Sequence, residues 1–220
     1  MNTIQPETLT FLKKLTNNNN REWFNENKSL YTESQENVIS FLEDLIKEMS
    51  GFDENLAKID PKKAMFRIYR DTRFSKDKVP YKTNFGASLG MGKGSQKGGY
   101  YLHIEPGKSF LAGGIYMPES SVLKEVRKEV SLYGDDFLKI LNHKDFKKHF
   151  PELDQDDKLK KVPQGFEKQD PMAEYLKLKN FIVLYHLKDE ELLDKKAVQN
   201  LTKIFSLMKP FNDFLNTPFV

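Results

Sequence analysis

Hydrophobic residues in the first fifty positions recur every three or four residues, which is the spacing of an amphipathic helix. Pro6 suits the first turn of a helix, and the asparagine run 17–20 ends that helix and offers an N-cap for the next one at Arg21. A long helix with one apolar stripe is expected from Tyr31 to Gly51. The pattern therefore predicts a group of N-terminal helices over residues 5–50.

After Pro61 the apolar pattern changes to alternation, which is typical of β-strands. The Gly-rich stretch 92–99 and the turn at Pro106-Gly107 are short enough to join successive strands as antiparallel neighbours. Residues 63–117 are thus predicted to form the sheet core. The expected strands cover residues 64–70, 84–91, 100–105 and 110–117.

Helical spacing returns beyond Pro118, where a helix is expected to begin. Phe181–Leu187 is predicted to be a further strand, and an apolar repeat from Val198 predicts a last helix that Pro210 ends. Shorter helices are expected over residues 137–141, 146–150 and 171–177.

The succession of helices, strands and helices predicts an α+β fold. We expect a central, mainly antiparallel sheet of about five strands, packed by the N-terminal and C-terminal amphipathic helices. Residues 118–215 supply helices and the further strand. A single domain is expected to span residues 1–220, since this length can bury one substantial core.

Composition narrows the functional classes. The chain is 38% hydrophobic and 30% charged, and 17 Phe and 9 Tyr supply enough bulk for a packed core. No apolar stretch is long enough to span a membrane, and the N-terminus lacks the pattern of a signal peptide, so a cytoplasmic location without a membrane partner is expected. The chain has no cysteine and its four histidines are widely spaced, so neither a metal site nor a cofactor is predicted.

Charge is concentrated in one part of the chain. Residues 58–108 hold 12 Lys and Arg against 4 Asp and Glu, whereas the rest of the chain carries an excess of acidic residues. Residues 67–83, named here the basic segment, contain six cations and only two carboxylates. Uncompensated cations repel one another more strongly as water is excluded. The segment therefore predicts either a binding site for an anion or a set of buried ion pairs.

Alternation along the strands assigns side chains to two faces of the sheet. Phe66 and Ile68 are expected on the apolar face. A shallow floor at Gly86 and Ser88, rimmed by the basic segment, predicts a pocket for a small anion, although a covering layer of helices would explain the same glycine. The polar side chains expected around this floor are Arg67, Tyr69, Tyr101, His103 and Glu105.

Two candidates for catalysis, His103 and Glu105, lie on the same face. His103 could carry protons if Glu105 orients its ring, and Asp71 could act as a further proton-transfer group. A single histidine on a strand is more often structural. The sequence thus leaves open whether this protein is an enzyme.

The basic segment is one of five motifs in this chain: Asn19–Phe24, Arg67–Thr83, Gly99–Pro106, Ala112–Pro118 and Pro163–Phe166. These motifs resemble the bacterial and fungal family of domains of unknown function numbered 2461, and the resemblance extends over nearly the whole chain. It implies no established activity, substrate or cofactor.

Binding of a phosphate-bearing or other anionic small molecule is the leading prediction. The paired N–H donors of an arginine guanidinium and the positive charge of a lysine ammonium group both suit phosphate and carboxylate oxygens. In one alternative, Asp71 and Asp77 merely tie the cations into a structural network. In another, the segment binds nucleic acid or protein, with Tyr69, Phe74 and Tyr81 stacking on the partner. The ligand-binding candidates are Arg67, Tyr69, Arg70, Asp71, Arg73, Lys76, Asp77, Lys78, Tyr81, Lys82, Tyr101 and His103.

Overall fold

The computed structural model describes residues 2–73, 75–90 and 97–219. Phe74, Met91 at the end of a predicted strand and the first part of the predicted Gly-rich turn, residues 92–96, lie outside the described residues.

Three helices open the chain, as the hydrophobic spacing predicts. Asn20 caps the second helix, because its side chain accepts a hydrogen bond from the backbone N–H of Trp23. A 3-10 helix, Glu54–Lys58, and the short helix α4, Pro61–Ala64, follow without having been predicted. The three predicted helices are α1 (Pro6–Asn17), α2 (Arg21–Glu26) and α3 (Lys28–Met49).

Four strands form one antiparallel sheet in the order β1-β2-β3-β4. The predicted α+β class is confirmed. Alternation along β2 buries Tyr100, Leu102 and Ile104, while the side chains between them are only partly buried. The strands are β1 (Phe85–Leu89), β2 (Gly99–Ile104), β3 (Phe110–Ile115) and β4 (Phe181–His186).

The strand predicted over residues 64–70 is reduced to two isolated bridges, Met65 with Ala87 and Tyr69 with Tyr81. Two physical causes explain this correction. Asp60 caps the short helix α4, which includes Ala64, so the extended conformation begins only at Met65. The two bridges are also separated by more residues on one side, from Tyr81 to Ala87, than on the other, from Met65 to Tyr69. They therefore cannot belong to one continuous ladder.

Helices return after β3, as expected. The prediction that Pro210 ends the last helix is wrong, because α10 continues through it to Asn216. Proline inside a helix costs about 3 kcal/mol, and burial of Phe211, Phe214 and Leu215 beyond it offsets that cost. The helices are α5 (Ser120–Leu132), α6 (Gly134–Leu141), α7 (Lys144–His149), α8 (Ala173–Leu176), α9 (Asp189–Leu193), α10 (Ala197–Asn216) and a 3-10 turn, Thr217–Phe219.

The chain groups into two compact units. The first comprises Met1–Leu89, Tyr101–Leu111 and His186–Lys203. The second comprises Gly90–Tyr100, Ala112–Tyr185 and Ile204–Val220. The single domain expected over residues 1–220 stays a prediction. Across the described ranges, no helix combines the length and the apolar character that crossing a membrane requires.

Candidate functional site

The basic segment is anchored to the first unit by its aromatic residues. Tyr81 is only 4% exposed, and its ring stacks on Phe24 at a centroid distance of 3.9 Å. Asn19 holds the backbone of Tyr81 at two points: its Oδ1 accepts from the Tyr81 N–H at 3.1 Å, and its Nδ2 donates to the Tyr81 carbonyl at 3.0 Å. Tyr69 bridges to Tyr81 and leaves 46% of its surface exposed. The segment thus starts and ends at fixed positions.

Both carboxylates of the segment pair with arginines of the same segment. Arg70 Nη1 lies 2.7 Å from Asp77 Oδ2. Arg73 binds Asp71 with two donors, Nε to Oδ1 at 3.0 Å and Nη2 to Oδ2 at 2.6 Å. These pairs are the local ion-pair network that the sequence offered as an alternative.

These pairs set the charge state of the two carboxyls. Hydrogen bonds from Arg73, side chain first, lower the pKa of Asp71. Arg70 and then the Val79 N–H lower the pKa of Asp77 in the same way. A lowered folded-state pKa stabilises the loop above the ordinary carboxyl pKa, and this stabilisation is lost as the pH falls through the lowered value. At neutral pH both carboxylates are therefore charged and engaged.

The remaining cations of the segment have other surroundings. Lys78 Nζ donates to the Thr72 carbonyl at 2.9 Å. Lys82 Nζ lies 5.2 Å from the centre of the Phe66 ring, which is a cation–π distance. Arg67 and Lys76 are exposed, and among the described residues neither has a carboxylate within ion-pairing distance. Six cations and two carboxylates leave the segment with a surplus of four positive charges.

Three polar side chains of β2 and its end form a hydrogen-bonded line, named here the β2 triad: Tyr101, His103 and Glu105. The Tyr101 hydroxyl lies 3.1 Å from His103 Nδ1, and His103 Nε2 lies 3.0 Å from Glu105 Oε2. The His103 side chain is 13% exposed and that of Glu105 is 22% exposed. The triad is therefore partly shielded from water, which strengthens its hydrogen bonds.

The surroundings of the β2 triad include two residues that the sequence reasoning missed. Phe110 stacks on the His103 ring at 4.6 Å and 12°, and Thr83 Oγ1 donates to Glu105 Oε1 at 3.3 Å. Thr83 is the last residue of the basic segment, so the segment ends directly on the triad. Alternation around β3 could have indicated Phe110, whereas the contact of Thr83 depends on the loop conformation.

Phe66 is a correction to the predicted faces. Its ring lies 6.1 Å from the Tyr101 ring, on the polar side, rather than opposite it. Tyr69 packs against Phe24 at 5.9 Å and so belongs to the aromatic anchor. The interrupted strand pairing around residues 64–70 removes the strict alternation on which the predicted faces depended.

The predicted site residues fall into two neighbouring groups. The β2 triad lines up as a chain of hydrogen bonds, and the basic segment carries the cations. Asp71 lies in the Arg73 ion pair, and no described contact joins it to the triad. Across the described residues, no group of three His, Asp or Glu side chains is arranged to hold a metal ion.

The family model described as "Conserved hypothetical protein (DUF2461)" matches residues 7–214. The chain belongs to the DUF2461 family. No curated protein and no solved structure matches the chain. The family match confirms the resemblance that the motifs indicated, and it includes both the basic segment and the β2 triad. Membership of the DUF2461 family specifies no activity, because function depends on the side chains of a site and not on the fold.

Gly86 gives a first prediction for this DUF2461 protein. A Cβ at position 86 would lie 2.4 Å from the Tyr101 hydroxyl, so Gly86→Ala should displace that hydroxyl from His103. Loss of this hydrogen bond should lower the free energy of unfolding by about 1 kcal/mol. Thermal unfolding measures the cost, and nitrogen NMR of the His103 ring reports the broken contact. Ser88→Ala, on the same strand, is the control and should leave the His103 ring resonances unchanged. If Gly86→Ala also leaves these resonances unchanged, the prediction is contradicted.

Proposed function

We propose that this DUF2461 protein binds a phosphate-bearing or other anionic small molecule through the basic segment. The observation that carries the proposal is the charge left over after internal pairing. Asp71 and Asp77 form ion pairs with Arg73 and Arg70, whereas Arg67 acts on Asp71 only as a nearby charge and Lys76 forms an ion pair with neither carboxylate. An anion that contacts those cations would relieve their mutual repulsion.

The shape of the segment supports the same proposal. Asn19 fixes the backbone at Tyr81, and the Arg70 N–H donates to the Pro80 carbonyl at 2.9 Å, so the two arms of the segment are held together. Ordering a loop on binding costs conformational entropy, and part of that cost is already met here. A preorganised loop can therefore bind a small anion with few contacts.

Arg70 has donor capacity left for such an anion. A guanidinium carries five N–H donors, and within the described ranges Arg70 uses one nitrogen, Nη1, for Asp77. Its ion pair with Asp77 also holds the guanidinium in one orientation. Phosphate and carboxylate oxygens would meet a positioned fork rather than a freely rotating side chain.

Proton transfer is a second candidate function, and the β2 triad favours it. His103 touches Glu105 on one side and Tyr101 on the other, which is the arrangement of an oriented acid–base group. Asp71 is disfavoured as the proton acceptor, because its lowered pKa makes it a weak base. Under this candidate, the anion bound at the basic segment is the substrate.

The test is a titration of the full chain at low salt with inorganic phosphate, pyrophosphate and adenosine monophosphate. Nitrogen NMR monitors the titration. The proposal expects saturable changes in the amide resonances of residues 67–83, which weaken as salt screens the charges. No change at about 20 mM phosphate, where even a millimolar site is nearly full, would contradict it. If the protein binds single-stranded oligonucleotides far more tightly than it binds adenosine monophosphate, the nucleic-acid alternative is favoured instead.

A further inference from the structure

We propose that the groove between α1 and α3 binds a basic α-amino acid such as L-lysine. The groove encloses about 460 Å³, a volume typical of binding sites for small molecules. All of the residues that line it belong to the first unit, and none belongs to the basic segment. The inference is therefore independent of the function proposed above.

The groove follows the line along which α1 and α3 pack. Thr8 on α1 donates its hydroxyl proton to Asn37 Oδ1 on α3 at 2.8 Å, and the ring centres of Phe11 and Tyr31 lie 6.1 Å apart. Lower residue numbers on α1 thus lie opposite higher residue numbers on α3, so the two helices are antiparallel. This register decides the order in which the side chains of both helices meet a ligand in the groove.

One end of the groove is fixed by hydrogen bonds of the Asn37 side chain. Besides the Thr8 hydroxyl, its Oδ1 accepts from the Gln5 N–H at 2.9 Å, and its Nδ2 donates to the Thr3 carbonyl at 2.9 Å. These bonds tie the start of α1 to α3. This wall of the groove is therefore formed before a ligand arrives, which lowers the entropic cost of binding.

Ser34 places a polar group without a partner in the floor of the groove. The residue is only 4% exposed and lines the groove. Thr32, in the same helix, donates its hydroxyl proton to the Lys28 carbonyl at 3.1 Å, whereas the Ser34 hydroxyl makes no hydrogen bond within the described ranges. A buried hydroxyl without a partner is costly. A ligand in the groove can supply the partner, since a hydroxyl both donates and accepts.

The charged side chains along the groove are also unpaired. Lys13 forms an ion pair with Asp189 at 3.8 Å, but in the part of the chain that the structure describes no ion pair includes Glu7, Lys14 or Glu33. On α1, Glu7 and Lys14 are seven residues apart, or about 10.5 Å along the helix axis. The antiparallel register places Glu33 between them, on α3. The groove therefore presents one positive charge and then two negative charges.

A basic α-amino acid carries the complementary order of charges. Its carboxylate pairs with Lys14, its α-ammonium group pairs with Glu33, and its side-chain ammonium group pairs with Glu7. The Ser34 hydroxyl accepts a hydrogen bond from the α-ammonium group. Phe11, which also lines the groove, contacts the methylene chain. A simple diamine would meet the positive charge of Lys14 unfavourably, and an amino acid with an apolar side chain would leave Glu7 unpaired.

NMR titration of the full chain at low salt with L-lysine tests the groove, and two analogues test its ends. 2-Aminohexanoic acid lacks the side-chain ammonium group, and 1,5-diaminopentane lacks the carboxylate. We expect saturable changes in the amide resonances of residues 5–14 and 30–37. L-lysine should bind about fivefold more tightly than either analogue, which is the scale of one exposed ion pair. No change in these resonances at about 20 mM L-lysine, or equal affinity for L-lysine and either analogue, would overturn the proposal.

Two single variants assign the ends of the ligand. Lys14→Gln should weaken binding of L-lysine about fivefold without weakening that of 1,5-diaminopentane, which has no carboxylate for Lys14. Glu7→Gln should weaken binding of L-lysine by a similar factor without weakening that of 2-aminohexanoic acid. Both side chains are exposed, so neither change should disturb folding. Losses that are the same for L-lysine and the analogue would overturn the proposed order of charges.

Ser34→Ala tests the buried hydroxyl. It should weaken binding of L-lysine about fivefold, while the far-ultraviolet circular dichroism stays unchanged because alanine favours a helix. Glu36→Gln and Lys47→Gln are the controls, since both residues are exposed on α3 outside the groove. Neither control should change the affinity for L-lysine by more than about twofold. Equal losses in the controls and the groove variants, or no loss in Ser34→Ala, would show that the groove is not the binding site.

Discussion

Gly114→Ala is expected to lower the free energy of unfolding by about 4 kcal/mol or more, a loss large enough to leave many domains unfolded. Gly114 in β3 has a φ of +117°, a backbone conformation that residues with a side chain rarely adopt. An added Cβ would also lie 1.9 Å from the backbone oxygen of Phe181 in β4. Backbone atoms on a paired strand cannot move aside as a flexible side chain can. Denaturant unfolding followed by circular dichroism measures the loss.

Gly107→Ala is the matched control for this prediction. Gly107 also has a positive φ, +72°, but nothing lies within 4 Å of the Cβ that alanine would add. Only the conformational cost applies there, so we expect a loss of about 1 kcal/mol. Equal effects of the two substitutions would show that the close approach of β3 and β4 is not the cause.

The second large effect is expected on ligand affinity. Replacing Arg67 and Lys76 together by alanine should weaken binding of inorganic phosphate about 150-fold or more, because each hydrogen bond to a charged group contributes about 1.5–3 kcal/mol. Both side chains are exposed, and neither pairs with a described carboxylate. The double variant should therefore fold normally. Titration followed by nitrogen NMR measures the change in affinity.

A charge-matched control distinguishes local contacts from the overall charge of the chain. Lys139 and Lys144 are exposed and lie outside the basic segment, on α6 and α7. Replacing both by alanine removes the same two charges and should change phosphate affinity by less than about twofold. If the control weakens binding as much as the Arg67 and Lys76 double variant, the site is not on the basic segment.

Local pattern was sufficient to predict the β2 triad. Tyr101, His103 and Glu105 alternate along one strand, so period-two reasoning places them on one face whatever the rest of the chain does. Their hydrogen bonds then follow from adjacency on that face. The same reasoning failed at Phe66, because no continuous strand forms there to enforce alternation.

Contacts between distant parts of the chain could not be predicted from pattern. The clamp between Asn19 and Tyr81 joins residues 62 positions apart, and no propensity or spacing rule links them. The continuation of α10 through Pro210 has a similar origin. Local sequence rules predict that a helix ends at proline. In α10 the burial of the residues after Pro210 stabilises the continued helix instead.

The charge of the basic segment was readable from the sequence, but its internal pairing was not. Two carboxylates among six cations could have bound any of several arginines and lysines. The conformation of the loop selects Arg70 for Asp77 and Arg73 for Asp71. This selection leaves Arg67 and Lys76 outside the two ion pairs, and these are the cations that the proposed anion site would use.

A crystal soaked in selenate tests the central claim most directly, because selenium scatters anomalously and selenate resembles phosphate in shape and sulfate in charge. We expect an anomalous peak at the basic segment, within hydrogen-bonding distance of Arg67 or of the remaining N–H donors of Arg70. Absence of a peak there, with selenate bound instead at isolated lysines such as Lys139, would contradict the proposal that the basic segment exists to bind an anion.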